Sequence, residues 1–126
     1  MDLETEKCII RDHPVIYRKL EPRLPSGERF ECKSGWGVLL RDLSTELEKV
    51  ARATPDEPFA IVQVKEKFGA LRVYFEREKP YSIWELLNDA YDQSRVTCEL
   101  CGKPGTLTRV RPHIRVVCHQ CSAHRS

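Results

Sequence analysis

With 126 residues, 32 % charged and 40 % hydrophobic, the chain has the composition of a soluble globular domain, not of a disordered or fibrous segment. No apolar run approaches the ~20 residues of a membrane helix, and Met1-Asp2-Leu3-Glu4 has neither the basic nor the apolar region of a secretion signal. A cytoplasmic location and no membrane partner are therefore expected, and six cysteines in a reducing compartment point to metal and thiols before disulfides.

The net charge of +2 is unevenly distributed. Residues 1–93 hold 15 Lys and Arg against 18 Asp and Glu, whereas residues 94–126 hold 6 against 1. The chain thus reads as an α+β domain over 1–93 and a basic ribbon over 94–126. The first is long enough to form its own core; the second is not.

Asp2–Arg11 reads as a short helix with Leu3, Cys8, Ile9 and Ile10 apolar. Asp12-His13-Pro14 breaks it: Asp12 can cap and Pro14 suits an early helical position, after which Val15, Ile16, Tyr17 and Leu20 offer an apolar face. Glu21–Gly35, with Pro22, Pro25, Gly27 and Gly35, reads as loop anchored by Phe30 and Cys32. Trp36–Ala53 is the strongest helix. Trp36, Leu39, Leu40, Leu43, Leu47, Val50 and Ala51 recur at three- and four-residue intervals. Arg41, Asp42, Glu46, Glu48, Lys49 and Arg52 are assigned to the wet side, and Thr54-Pro55 ends the helix.

From Phe59 to Glu76 the period shortens to two. Ala60, Val62 and Val64 alternate with Ile61, Gln63 and Lys65, and Leu71, Val73 and Phe75 alternate with Arg72, Tyr74 and Glu76. This predicts a β-hairpin turning near Phe68-Gly69. Ser82-Ile83-Trp84-Glu85 fits a capping box, opening a helix to about Arg95 with Ile83, Leu86, Leu87, Ala90 and Tyr91 inward.

The last third carries the clearest chemistry. Cys98-x-x-Cys101 and Cys118-x-x-Cys121, with sixteen residues between the inner cysteines, have the spacing of a structural zinc site. Zinc takes four thiolates in a tetrahedron at ~2.3 Å each, so each pair must curl both sulfurs to one point. Two intervening residues allow that turn, and Gly102 lets the chain leave it with positive φ. Thr106–Val110 and Ile114–Val117, joined by Arg111-Pro112-His113, read as a hairpin between two knuckles. One zinc ion per chain is expected on Cys98, Cys101, Cys118 and Cys121; the alternatives are free thiols or two disulfides. The expected fold is α+β, helices packed on a small antiparallel hairpin or sheet, finished by a four-cysteine zinc ribbon.

Three blocks stand in one order: Phe30-Glu31-Cys32-x-x-Gly35-Trp36, Gln63-Val64-Lys65-Glu66-Lys67-Phe68-Gly69-Ala70-Leu71-Arg72-x-Tyr74, and Ser94-x-x-Thr97-Cys98-Glu99-x-Cys101-Gly102-x-Pro104-Gly105. They resemble a family of small, functionally uncharacterised proteins met in bacteriophages and prophages. The likeness runs from about Pro14 to the last cysteine. It implies a phage or prophage origin and a zinc-binding end, but no activity. In that family the last ligand is often His, which leaves the fourth ligand open between Cys121 and the nearby His119 and His124.

Two basic surfaces are candidate partner sites: Lys65, Lys67, Phe68 and Arg72 around the hairpin turn, and Arg109, Arg111 and Arg115 on the ribbon. Each also reads simply as a charged, solvated hairpin. Trp36 reads as a core anchor. Cys8, Cys32 and His13 match no standard metal spacing, and Asp42 with Glu46 reads as solvated surface beside Lys49. Four cysteines close a zinc tetrahedron to water, and H-E-x-x-H, G-x-S-x-G and the deaminase pattern are absent. The expected function is non-catalytic binding of a host or phage protein, with inhibition of a host defence or regulatory machine as one version. The rival is a small nucleic-acid-binding regulator, and no small-molecule substrate is indicated.

Overall fold

The computed structural model describes residues 1–54, 56–110 and 112–123. Its elements in order are α1 (Leu3–Asp12), β1 (Phe30–Glu31), α2 (Gly37–Arg52), β2 (Ile61–Lys67), β3 (Ala70–Phe75), α3 (Trp84–Ser94), β4 (Thr106–Val110), β5 (His113–Val117) and α4 (His119–Ala123). The fold is α+β, with a three-stranded sheet ordered β1-β2-β3 and a separate β4-β5 hairpin. Among the described residues, no helix is long and apolar enough to cross a membrane.

The core is built on α2. Trp36, Leu40, Leu43, Leu47 and Ala51 are buried at helical spacing, and they join Ile9 of α1, Ile16, Phe30, Ile61, Val64 and Ile83 in one cluster. Glu48 departs from its expected place on the wet side. It is buried, accepts from the amides of Val15 (3.1 Å) and Ile16 (3.0 Å), and pairs with Arg52 at 3.0 Å. The 40-44-48 row explains this: Ser44 and Glu48 lie on the same inward rows as Leu40 and Ala51, and Ser44 is buried against the Tyr17 hydroxyl at 2.6 Å. Glu6 of α1 does the same for the amides of Arg29 (2.7 Å) and Phe30 (3.0 Å). Buried carboxylates thus replace the sheet or helix partners these loop amides lack.

Residues 14–19 form turns, not the helix that Pro14 suggested, and Asp12 closes α1 where a new helix cap was expected. The amides of Val15 and Ile16, which even a helix begun at Pro14 would leave without an internal partner, go to Glu48. Phe30 and Cys32 are buried anchors as expected, but Phe30 and Glu31 also pair in parallel with Val64 and Lys65. The expected antiparallel hairpin is thus extended by one short parallel strand, which makes the sheet mixed. A two-residue strand carries no periodicity to read.

The β2–β3 hairpin turns at Phe68-Gly69, with φ of 52° and 78°. Both residues at positive φ make this the two-residue turn whose twist matches the flanking strands. A register shift between Ile61 and Gln63 breaks the expected Ala60-Val62-Val64 face, so that Ala60, Ile61 and Val64 are buried while Val62 is only half-buried. The expected capping box is absent. Tyr81–Ile83 forms a one-turn 3-10 segment, α3 begins at Trp84, and no side chain caps either start. α2 ends at Arg52 with Ala53 as its cap, as expected ahead of Thr54-Pro55, of which Pro55 lies outside the described residues.

Candidate metal centre and binding surface

Cys98 follows the end of α3 by four residues, and Cys118 follows β5 directly. The 98–101 turn is closed by the amide of Gly102 on Cys98 O (2.9 Å), with Gly102 at φ 84°. The 118–121 turn opens α4, where the amides of Cys121 and Ser122 bond back to Cys118 Sγ (3.3 Å) and O (3.0 Å). Strand pairing from Thr106↔Val117 to Val110↔His113 brings the two turns together. The sulfurs of Cys98, Cys101, Cys118 and Cys121 all lie within 4.8 Å of one another, and those of Cys101 and Cys118 are 3.6 Å apart.

No disulfide joins any of the four cysteines. Four sulfurs each ~2.3 Å from a shared ion would be roughly 3.8 Å apart, so donor set and spacing fit a metal such as zinc. The Cys121 amide holds the Cys118 thiol down at about 7, favouring the thiolate a metal requires. His119 is exposed and outside the cluster, whereas Cys121 is in it; His124 lies outside the described residues.

The metal end is seated on the helical part by polar contacts that its residue types did not announce. Glu99 is completely buried between the cysteines, accepting from the Lys33 amide (3.0 Å) and from the Arg115 guanidinium (2.8 Å). Burial pushes its carboxyl up, against the pull of Arg115. The Trp36 indole donates to Thr97 O at 3.1 Å, and the Leu71 amide donates to Ser94 Oγ at 3.0 Å. Trp36 is thus the expected core anchor and also a contact to the metal end.

The candidate partner residues separate. Lys67 and Phe68 are exposed, Phe68 by 69 %. Lys65 is half-buried in the sheet, opposite Arg72 on one side and Glu31 on the other. Arg72 is not a free surface cation, since its guanidinium lies over the Tyr91 ring at 5.4 Å. Arg115 is likewise committed, to Glu99. Arg109 is exposed, and Arg111 lies outside the described residues. The two hairpin surfaces, distinct in sequence, meet in space: a Cβ placed on Gly69 would lie 2.3 Å from Leu107 Cδ1.

Of the other sulfur candidates, Cys32 is buried, and that burial pushes its thiol up to about 12, away from the thiolate a nucleophile needs at neutral pH. Both ring nitrogens of His13 are engaged, with Ile9 O (2.6 Å) and Thr45 Oγ1 (3.0 Å). Glu46 pairs with Lys49 at 3.0 Å, the solvated arrangement expected there. Compared with family models, curated proteins and solved structures, the chain matches none.

Proposed function

We propose that this chain is a non-catalytic accessory protein of phage or prophage type, stapled by one zinc ion, that binds a host or phage protein in the bacterial cytoplasm. The observation that carries the binding role is Phe68. A bulky side chain at φ 52° with 69 % exposure is strained and leaves most of its surface to solvent. Left-handed backbone costs a non-glycine residue roughly 1–2 kcal/mol, and Gly or Asn would make the same turn with less strain. Strain held at a tip without a packing return marks a contact residue.

Lys67 stands beside Phe68, while Leu107 (48 % exposed) and Arg109 belong to the adjoining strand. An aromatic anchor among apolar and basic side chains is the composition of a protein interface. The zinc ion has a holding role in this reading, because four thiolates leave no position for a substrate or water. A host defence or regulatory machine is one candidate target class. The nucleic-acid reading has less support, because Arg72 and Arg115 are occupied within the protein.

The test is affinity capture from a bacterial lysate treated with nuclease, using zinc-loaded wild type, Phe68→Gly and Arg109→Ala. Loss of a nuclease-resistant partner in Phe68→Gly, by a factor of about 30 or more in affinity, is expected for an anchor residue. Capture untouched by Phe68→Gly, or capture that vanishes with nuclease, counts against the reading.

A further inference from the structure

A groove of ≈ 630 Å³ runs between α2 and α3 and ends at the first metal turn, Cys101-Gly102. Its apolar lining comes from both helices: Leu39 and Leu43 on one side, Leu86 and Ala90 on the other. Val38 is part of it and remains 68 % exposed. Three carboxylates, Asp42, Glu46 and Asp89, also line the groove, and none of its described lining residues is Lys or Arg. Glu46 is paired with Lys49, but among the described residues neither Asp42 nor Asp89 has a cation within salt-bridge distance. This surface has the opposite sign to the basic metal end.

We propose that the α2–α3 groove is a docking site for a basic amphipathic helix of a partner protein. Two helices side by side leave a channel whose natural filler is a third, its apolar face inserted as anchors at three- and four-residue spacing. Charge chooses the class. Asp42 and Glu46 are one turn apart on α2, about 5–6 Å between Cβ atoms, and Asp89 faces them from α3. Lys or Arg flanking the apolar stripe of the incoming helix would meet carboxylates along both walls, whereas an acidic helix would meet like charge. A nucleic acid is excluded by the same sign. This surface is separate from Phe68, so the chain has two partner-facing sites of opposite character.

The experiment uses the full, zinc-loaded chain and a fluorescently labelled designed peptide of about 18 residues, five turns of Leu and Lys at helical period. Two counterparts replace every Lys by Glu, or every Leu by Ser. Polarisation should show saturable binding of the Leu/Lys peptide alone, with amide shifts along α2 and α3. Asp42→Lys with Asp89→Lys should weaken it at least tenfold. Glu21→Lys with Glu78→Lys, the same charge change at exposed positions outside the groove, should change it less than threefold, and Phe68→Gly should leave it unchanged. Equal weakening by both double variants, equal binding of the Leu-to-Ser peptide, shifts centred on Phe68, or no binding of the Leu/Lys peptide would each overturn the proposal.

Discussion

Gly35 and Glu99 meet backbone to backbone: the Gly35 amide donates to Glu99 O at 2.7 Å, with no room between them for a side chain. A Cβ on Gly35 would lie 2.3 Å from Cys98 O and 2.4 Å from Glu99 C. These are backbone atoms of the first metal turn, so no side chain can swing away. Gly35→Ala should therefore push that turn off the start of α2, costing about 2–3 kcal/mol as overpacking does. Denaturant unfolding of metal-loaded protein checks this. A loss below about 0.5 kcal/mol would mean that the turn is free to move.

Metal analysis of freshly purified, reduced protein should find one zinc per chain, lost in Cys101→Ser and Cys118→Ser and retained in His119→Ala. Binding of a structural zinc contributes on the order of 10 kcal/mol to folding of the segment it staples. Chelation should unfold the β4–β5 hairpin while α2 and its core persist. Because the Trp36 indole bonds to Thr97 O, next to the first ligand, the indole N–H resonance should move as well. An indole signal unaffected by chelation would show that the first turn holds without metal.

The arginines of the ribbon should separate by role. Arg115 neutralises a carboxylate that is completely buried, so Arg115→Ala leaves Glu99 uncompensated and should cost about 3–5 kcal/mol. Arg109 is exposed, and Arg109→Ala should change stability by less than about 0.5 kcal/mol. Thermal unfolding of the two zinc-loaded variants decides. Equal effects would remove Glu99–Arg115 from the structural account.

Asp2 caps α1 and ties it to the segment before α2. Its carboxylate accepts from the Ser34 hydroxyl (2.6 Å), the Thr5 amide (2.9 Å) and the Thr5 hydroxyl (2.8 Å), which lower its pKa from 3.8 to about 2. A depressed carboxyl pKa stabilises the fold above the unfolded value, and that contribution fades as pH falls from about 4 to about 2. Carbon-detected titration of the Asp2 carboxyl should give the low value in wild type and a near-normal one in Ser34→Ala with Thr5→Ala. An unshifted Asp2 in wild type would contradict the cap.

What the residues alone determined is what rests on short-range pattern. The two C-x-x-C pairs needed only their spacing, because a metal asks four sulfurs to reach one point whatever the rest of the chain does. The α2 stripe and the Phe68-Gly69 turn were legible for the same reason: helical period and turn chemistry are local. Tertiary structure decided the polar interior. Glu6, Glu48 and Glu99 look like surface residues in sequence, and they are buried because distant loop amides, and in one case Arg115, need an acceptor there. Stacking on Tyr91 and pairing with Glu99 removed Arg72 and Arg115 from the candidate surface, and packing of α2 against α3 lined one groove with Asp42 and Asp89. A carboxylate's partner tens of residues away leaves no periodic trace; only the fold brings the two into hydrogen-bonding range.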